Sequence, residues 1–400
     1  MPGTDASAAR LATPQLLTLA LLAAISPLAT AMYLPAMPAM AVELATDAQT
    51  LQLTLTAFMV GLAAGQVVLG PLSDRVGRRP VLLAGAGVCV VASAACALAP
   101  GIEILIAARL VQGVAGAAGI VLGRAMVADT VRGKPAARAF SLLMTMGAIA
   151  PVVAPLLGGI LTQATGWRGV FTALTGFAAL MLLGALVLLP ETLPSTRRRA
   201  AGGGETMRRL WTVVRRPRFI AYTAVLVFAY ATLIAYVSAS PFVLQEGFGL
   251  APGAFSLAFA ANAVGLTLAS FANARLVRIV APRRILAIGL VGEASVVLVL
   301  VGTALIGSLT TPLLLALLWM SVTCLGFIMG NATALAMDQA TREAGSASAL
   351  LGAAQFGLAA LAAPAANSGA GGSPVAMAVT MAVCVSGAVI AFVATRLSRV

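Results

Sequence analysis

The stretch GPLSDRVGRRP, residues 70–80, places two glycines and a cluster of charged residues between two long apolar runs. Glycine lets the chain reverse tightly, and arginines hold such a reversal at the aqueous edge of a bilayer. Asp74 is the one acid in this cluster, and its carboxylate can face the positive end of a helix that starts on the same side. A plain hairpin with basic flanks would explain the arginines, but neither Asp74 nor the glycine spacing. We therefore expect a loop with a role of its own, formed by Gly70, Asp74, Arg75, Gly77, Arg78 and Arg79.

The composition rules out an ordinary soluble domain. Of the 400 residues, 60% belong to the apolar set and 40 more are glycines, whereas charged residues make up 9%. A typical soluble domain has about 45–50% apolar residues with glycine included, and about 25% charged residues. One soluble core would not bury so much apolar surface, so the chain is predicted to be an integral membrane protein.

The residue inventory also excludes several kinds of chemistry. The chain has no histidine, which removes histidine-dependent catalytic triads and histidine-ligated metals. It has no phosphate-binding loop of the GxxxxGK[ST] type, which argues against ATP hydrolysis. Four cysteines lie inside apolar runs and are interpreted as small buried residues, namely Cys89, Cys96, Cys324 and Cys384. We expect no enzyme activity, no metal and no bound cofactor.

Hydropathy predicts an all-α membrane protein with twelve spans. About 20 apolar residues cross a bilayer as a helix, and lipid offers no partner to open backbone groups. The spans fall into two sets of six, at residues 1–189 and 219–400, joined by a basic linker at 190–218. Residues 274–284 end in paired arginines as residues 70–80 nearly do, which favours two duplicated, pseudo-symmetric bundles. The predicted spans are Pro14–Pro35, Gln52–Pro71, Pro80–Ala99, Ile102–Arg124, Ala136–Gln163, Arg168–Leu189, Phe219–Val243, Gly253–Ala274, Arg284–Ile306, Thr311–Met337, Ser346–Ala366 and Pro374–Arg396.

The basic residues set the predicted orientation. With the N-terminus in the cytoplasm, 23 of the 25 basic residues fall on the cytoplasmic side, and only Arg109 and Arg168 do not. This distribution follows the positive-inside rule, so the net charge of +13 indicates topology and not nucleic-acid binding. Both termini are expected in the cytoplasm. The linker is interpreted either as a short basic helix on anionic lipid or as a solvated tether.

Four segments together resemble the major facilitator superfamily over nearly the whole chain. Residues 70–80 are similar to its loop between the second and third helices, and LIAARLVQG at residues 105–113 is similar to its fourth-helix motif. GAIAPVVAPLLGG at residues 147–159 looks like the fifth-helix motif of its exporters. MYLPAMP at residues 32–38, with Gly159 and Asn331, resembles the Bcr/CflA-like branch of twelve-helix drug:proton antiporters. The resemblance implies two six-helix bundles around a central cavity that opens to each side in turn, with residues 70–80 as a gating loop.

Arg109 is the predicted centre of the site. A charge inside a span costs about 2.5–3.5 kcal/mol or more, so it normally faces a wet cavity or a partner. The alternative is that Arg109 snorkels to the outer interface, since only a few residues separate it from Pro100. The resemblance favours the cavity, because the matching arginine of the superfamily lies near the substrate and the proton path.

The fifth span carries glycine and proline close to one face. Gly147, Pro151, Pro155 and Gly158 follow this stripe, and Gly159 adjoins it. Each proline removes a backbone hydrogen bond, and the glycines let another helix approach closely. Tight packing is the plain interpretation. The resemblance implies instead a pivot against the opposite half, of the kind that accompanies export by antiport.

Polar residues along the apolar spans are candidates for the lining of the cavity. Together they would form an apolar, aromatic pocket with few directional groups, which suits bulky amphipathic compounds better than sugars or phosphates. The alternative for each one alone is a hydrogen bond to a neighbouring helix, at about 0.6 kcal/mol. Besides Arg109, the candidates are Tyr33, Gln66, Gln112, Tyr230, Tyr236, Asn262, Asn331 and Gln355.

The chain departs from the resembling family at one position. That family usually carries an acid directly before the MYLP segment, as a proton-binding and cation-attracting group, whereas this chain has Ala31. We expect coupling to protons to be altered and neutral substrates to be favoured over cations. Glu293 lies near the middle of the ninth span, and we interpret it as a neutral, hydrogen-bonded structural group.

The sequence therefore predicts a monomeric transporter of the inner membrane that exports small amphipathic, drug-like compounds in exchange for protons, with the proton gradient as its energy source. Two other functions stay open. One is uptake of a small metabolite by symport, which the fifth-span stripe disfavours. The other is a membrane sensor that binds a ligand without net transport.

Overall fold

The computed structural model describes residues 13–131, 133–198, 211–340, 344–368 and 373–397, and regular structure in these ranges is helical throughout. Short 3₁₀ turns occupy Leu34–Ala36 and Ser195–Arg197, and a π-helical turn occupies Phe242–Gly247. The α-helices are α1 (Thr13–Ala31), α2 (Met37–Glu43), α3 (Ala48–Val76), α4 (Arg78–Ala97), α5 (Ile102–Thr130), α6 (Gly133–Leu188), α7 (Pro217–Pro241), α8 (Pro252–Leu276), α9 (Pro282–Ile306), α10 (Thr311–Asp338), α11 (Ala344–Ala365) and α12 (Pro374–Leu397).

The described residues contain 11 helical segments long and apolar enough to cross a membrane, and one of these crosses twice. α6 has 56 residues and breaks at Gly166, where φ is 70° and ψ is −176°. At 1.5 Å per residue it would be about 84 Å long, which far exceeds a hydrocarbon core of about 30 Å. The break at Gly166 turns α6 back on itself, so its two arms are the predicted fifth and sixth spans. The twelve-span prediction is confirmed.

The first span continues past its predicted end at Pro35. After α1 the chain forms the turn Leu34–Ala36 and then α2, which carries the helical path to Glu43. Pro35 and Pro38 each lie in the first turn of a new helical segment, where the missing N–H would have no partner in any case. The prolines therefore restart the helix here and do not end the span.

The two ends of the molecule differ in how the halves pack. We call the end that holds residues 70–80 and 276–284 the basic end, and the other the opposite end. At the opposite end one apolar core joins both halves and includes Tyr33 and Phe58 with Tyr236 and Phe259. At the basic end the buried apolar residues form two separate cores, one in each half. Among the described residues, a shared apolar core thus joins the halves at the opposite end only.

The same helix pairings occur in both halves. α3 packs on α5 as α8 packs on α10, and α4 packs on α5 as α9 packs on α10. Between the halves, α3 packs on α11 and α6 packs on α8. These two contacts are equivalent, because exchanging the two halves converts one into the other. The fold is therefore two pseudo-symmetric six-helix bundles. The exact boundaries at 189 and 219 stay predictions.

Part of the linker is attached to the second half. Residues 211–214 are helical, and Val213 is buried in the basic-end core of that half. The side chain of Arg216 donates a hydrogen bond of 2.5 Å to the carbonyl oxygen of Gln339. The remaining residues of the linker, 199–210, lie outside the described residues.

The crossing of α3 and α5 depends on glycine. A Cβ on Gly113 would overlap the carbonyl oxygen of Phe58, and a Cβ on Gly61 would overlap that of Leu110. The backbones thus approach more closely than any other residue would allow. This contact places Phe58 directly beside α5, where the candidate site lies.

We predict that Gly113→Ala destabilises the protein by about 1–3 kcal/mol, because the added methyl group forces the two backbones apart. Thermal unfolding of the purified protein in detergent would measure the loss. Gly87→Ala is the matched control, since Gly87 has nothing within 4 Å of its added Cβ and alanine is the better helix former. Equal stability of both variants would contradict a close α3–α5 contact.

Candidate functional site

Arg109 lies inside the first half with no exposed surface. It sits two turns from the start of α5, and Gln112 follows one turn later on the same face. Its Nη1 atom donates to the carbonyl oxygen of Ala29 at 3.0 Å and to Oε1 of Gln112 at 2.6 Å. The guanidinium carbon lies 4.5 Å from the ring centre of Tyr33 and 4.3 Å from that of Phe58. Cation–π contacts of desolvated groups contribute about 2 kcal/mol or more each.

No carboxylate pairs with Arg109 among the described residues, and its Nε and Nη2 atoms have no hydrogen-bond partner there. Ala31 is buried two residues beyond the carbonyl that accepts from Arg109, and it offers only a methyl group. The side chain does not reach the opposite surface as snorkelling requires. In this conformation it lies closed inside an aromatic box and has two unused N–H groups.

A polar bridge anchors this box to α4. Gln112 donates from Nε2 to Oγ of Ser93 at 2.8 Å, while its carbonyl oxygen accepts from Arg109. The second half has a bridge between the corresponding helices, where Ser321 of α10 donates to Oε1 of Glu293 of α9 at 2.8 Å. Glu293 is buried, and its Oε2 atom has no partner among the described residues. A polar bridge thus joins the corresponding helices in both halves. The charged residue beside it is Arg109 in the first half, whereas in the second half the bridge itself contains the acid Glu293.

A second repeat relates Tyr33 to Tyr236. The pattern Tyr33-x-x-x-x-Pro38 recurs as Tyr236-x-x-x-x-Pro241, a correspondence that the sequence analysis did not use. The hydroxyl groups of Tyr33 and Thr54 lie 3.3 Å apart. Asn262 donates from Nδ2 to the hydroxyl of Tyr236 at 2.7 Å. Each tyrosine therefore ties the first helix of its half to the second.

The remaining candidates lie in other places. Gln66 lies between the halves, where a Cβ on Gly352 would overlap its side-chain oxygen. Asn331 donates to Oδ1 of Asn273 at 2.6 Å, inside the second half. Tyr230 packs edge-on against the ring of Phe356, the residue after Gln355, with ring centres 5.5 Å apart. In this structure the predicted lining residues thus form separate groups and not one open pocket.

The proline- and glycine-rich part of α6 packs between the two halves. A Cβ on Gly158 would overlap the carbonyl oxygen of Met32 in the same half, and one on Gly159 would overlap Oγ of Ser256 in α8. Pro155 is buried and Pro151 is half-buried on the same helix, whereas the surroundings of Gly147 lie outside the described residues. Consecutive glycines therefore bring α6 against α1 on one side and against α8 on the other.

Arg78 is the centre of the loop at residues 70–80. Its guanidinium lies 2.7 Å from the carboxylate of Asp74 and 3.0 Å from that of Asp129, and it donates to Oγ of Ser73 at 2.6 Å. Gly77 adopts a φ of 119°, and a Cβ there would overlap the carboxylate of Glu191. In this conformation Asp74 pairs with Arg78 of its own loop, and its expected role opposite the start of another helix stays a prediction. The carbonyl oxygen of Gly70 accepts from the hydroxyl of Ser73 at 2.7 Å, Arg75 is exposed, and Arg79 donates to the carbonyl oxygen of Leu186 at 2.8 Å.

Glu191 is a loop residue that sequence reasoning missed. Its two carboxylate oxygens accept from the backbone N–H groups of Arg78 at 2.9 Å and Arg79 at 3.3 Å, which open α4. A carboxylate at this position satisfies free donors and opposes the positive end of the helix dipole. The sequence signal was available, since Glu191 is an acid directly after the last apolar residues of a span on a strongly basic side.

Two further contacts lie at the opposite end. Trp167 donates from its indole nitrogen to Glu43 at 2.7 Å, and Arg168 forms an ion pair with the same carboxylate. Gln52 of α3 donates to the carbonyl oxygen of Ser238 in α7, which is a hydrogen bond across the two halves. None of these roles is apparent from the sequence, because each pair joins segments that are far apart in the chain.

The chain has two repeated halves, twelve membrane crossings and a basic loop whose arginines are held by acidic side chains. The sequence pattern described as Major Facilitator Superfamily matches residues 19–364. The chain belongs to the Major Facilitator Superfamily. Members of this superfamily are transporters, so the chain is a multi-pass membrane transporter.

Individual relatives of the superfamily include drug-resistance proteins. The uncharacterized MFS-type transporter YdgK of Bacillus subtilis is 36% identical over 84% of this chain and 83% of its own. The multidrug resistance protein MdtL of Klebsiella pneumoniae is 29% identical over 81% of each chain. A bicyclomycin resistance protein homolog of Haemophilus influenzae is 28% identical over 86% of this chain and 87% of its own. The Bcr/CflA-like, drug:proton antiporter type of the superfamily, expected from the motifs, agrees with these relatives.

Solved structures of the superfamily share the fold. The xylose transporter XylE of E. coli, in a partially occluded inward-open conformation, has a TM-score of 0.73 at 14% identity over 96% of this chain and 97% of that one. A bacterial homolog of the lysosomal transporter Spinster, in an inward-facing conformation, has a TM-score of 0.70 at 17% identity over 95% of this chain and 96% of that one. Identities this low show the common architecture alone.

We predict that Arg109→Lys retains more transport than Arg109→Ala, with both proteins inserted normally. Lysine keeps the charge near the aromatic rings but not the two parallel donors of the guanidinium, whereas alanine removes both. Transport of a labelled substrate by cells that overexpress each variant at matched membrane levels would measure this order. Unchanged transport by Arg109→Ala would remove Arg109 from the site.

We predict that Glu191→Gln lowers the thermal stability of the purified protein, by about 1.5–3 kcal/mol for loss of the charge-assisted hydrogen bonds to the start of α4. Glu103→Gln is the matched control, because Glu103 is an exposed acid in the first turn of α5. If the two variants unfold at the same temperature, Glu191 does not hold the loop.

Proposed function

We propose that the protein exports small amphipathic compounds from the cytoplasm in exchange for protons. The observation that carries this proposal is the position of α6, which packs through Gly158 on α1 and through Gly159 on α8 of the other half. In the resembling exporters this helix carries the same stripe of glycine and proline. Relatives named for multidrug and bicyclomycin resistance support export of drug-like compounds.

The packing of the halves supports alternating access. One shared core seals the opposite end, whereas the cores of the two halves are separate at the basic end. With both termini and the basic end in the cytoplasm, as the positive-inside rule predicts, this is the conformation that receives a substrate from the cytoplasm. The halves then rock about the α3–α11 and α6–α8 contacts, and the loop at 70–80 acts as the gate.

The residues near the centre favour neutral, aromatic or apolar substrates. Tyr33, Phe58 and Phe171 surround Arg109, and Tyr236 stacks on Phe259 with ring centres 5.6 Å apart. Such rings offer apolar area with few fixed hydrogen bonds. A buried cation without a carboxylate partner repels cationic substrates, because no acid in the box offsets it.

Proton exchange depends on a titratable group along the transport path. The resembling family places an acid at position 31, where this chain has a buried alanine. Among the described residues Glu293 is the only buried acid, and its bond to Ser321 corresponds to the bridge between Gln112 and Ser93. We therefore assign Glu293 to structure, and we propose that exchange is weakly coupled or uses a site outside the first span.

The competing functions have less support. Uptake by symport shares this fold, as the structure of a D-xylose–proton symporter shows for another chain, but no contact among the described residues favours it. A sensor without transport has no specific observation behind it either. Overexpression in a host that lacks its own pumps separates them. Resistance to a panel of neutral compounds supports export, and hypersensitivity supports uptake. If the susceptibility of these cells equals that of cells with the Arg109→Ala variant, both functions are contradicted.

We predict that Ala31→Asp increases proton-driven transport of a cation such as ethidium in vesicles with an imposed pH gradient. An intramembrane carboxylate attracts a cation and exchanges protons near neutral pH, since burial disfavours its charged form. Ala31→Asn is the matched control of similar size without charge. Strong gradient-driven ethidium transport by the unmodified chain, unchanged by Ala31→Asp, would show that this position does not set the coupling.

A further inference from the structure

A cavity of about 600 Å³ lies at the basic end between the start of α9 and the end of α12. Three arginines line it, Arg283, Arg284 and Arg396, together with Phe392 and two alanines, Ala281 and Ala287. The cavity belongs to the second half alone and lies away from the box around Arg109. It has no part in the transport mechanism proposed above.

One of the arginines is held in place, while the other two are free to bind. Arg283 donates from Nη2 to the hydroxyl of Thr395 at 3.1 Å, and its guanidinium lies 5.6 Å from the ring centre of Phe392. Arg284 and Arg396 are exposed, and within the described ranges their side chains make no hydrogen bond or ion pair. The cavity therefore contains a fixed guanidinium flanked by two available ones.

The positive charge of this cavity is not balanced by acid. Within the described ranges no carboxylate lies within 4.0 Å of its arginine nitrogens, and Asp338 at the end of α10 is exposed and unpaired. Arg283 and Arg284 also open α9, whose first turn contains no acid, so they face the positive end of the helix dipole. An anion in the cavity would relieve both repulsions.

The first half shows how the same arrangement is neutralised. Arg78 and Arg79 open α4 as Arg283 and Arg284 open α9, and there the carboxylate of Glu191 accepts from both backbone N–H groups. Glu191 lies just beyond the end of α6, and α12 is the corresponding helix of the second half. The last turn of α12 brings a further cation, Arg396, in place of an acid. The second half thus has a binding place for an anion that its own described residues do not fill.

The surroundings of the cavity point to a lipid as the source of that anion. Ile288 and Val291 of α9 and Ile390 and Val393 of α12 are exposed, and they extend from the cavity toward the middle of their spans. A molecule with an anionic head and apolar chains matches a basic cavity at a span end followed by an exposed apolar surface. Free phosphate would use the arginines but not this surface.

We propose that the cavity binds the headgroup phosphate of an anionic phospholipid. The phosphate bonds to the free N–H groups of Arg284 and Arg396 beside the fixed guanidinium of Arg283, and the acyl chains lie along α9 and α12. The lipid thereby supplies the negative charge that Glu191 supplies in the first half.

The test is titration of the full-length protein, in neutral detergent, with dioleoyl-phosphatidylglycerol, and with dioleoyl-phosphatidylcholine as the neutral lipid. Native mass spectrometry measures the first bound lipid. We expect Arg284→Gln/Arg396→Gln to weaken phosphatidylglycerol binding roughly tenfold or more. Both side chains lack partners among the described residues, so the double variant is expected to fold normally.

The matched control is Arg275→Gln/Arg278→Gln, which removes two exposed arginines from the same end of the molecule. We expect it to change phosphatidylglycerol binding by less than about twofold. If both double variants lose phosphatidylglycerol binding equally, the binding reflects general attraction between charges, and the proposed site is wrong. Displacement of phosphatidylglycerol by inorganic phosphate in modest excess would assign the cavity to a free anion instead. Neither result bears on export, which is measured separately.

Discussion

A charge buried in lipid must find its partners inside the protein, and Arg109 meets this constraint with five helical segments. α1 supplies the carbonyl oxygen of Ala29, the turn after it supplies the ring of Tyr33, α3 supplies the ring of Phe58, and α6 supplies that of Phe171. α5 adds Gln112, which is itself fixed by α4. The first half is thus organised around one cation, and the close α3–α5 crossing is what brings Phe58 within reach.

The two halves repeat the backbone but not the charges. Tyrosine–proline patterns and polar bridges between corresponding helices recur, whereas the cation in the membrane lies in the first half and the buried acid, Glu293, in the second. At the basic end the charges differ as well, because the carboxylate of Glu191 pairs with the start of α4, whereas the charged residues described around the start of α9 are all arginines. The two halves therefore share their helix packing but differ in where their charged groups lie.

The sequence predicted the twelve spans well because bilayer thickness and the positive-inside rule act on local composition. It misplaced the end of the first span, since prolines in a first helical turn restart a helix as readily as they end one. Arg109 was found because a charge inside an apolar run is conspicuous. Its neighbours Phe58 and Phe171 were not found, because the sequence of an apolar helix does not indicate which of its aromatic residues faces an arginine far away in the chain. Glu191 was missed for a different reason, since its role appears only when α6 lies beside α4.

The segment from Ala29 to Tyr33 connects the site with the contact between the halves. Within one helical turn it offers a carbonyl oxygen and an aromatic ring to Arg109, and the carbonyl of Met32 lies against Gly158 of α6. The next residue of α6, Gly159, touches Ser256 of the other half. A substrate that binds to the unused N–H groups of Arg109 would displace Tyr33 or Ala29, and the glycine contacts leave no space to absorb that shift locally. We propose that such a shift passes into α6 and so to α8, so that the backbone at Met32 links binding with the movement of the two halves.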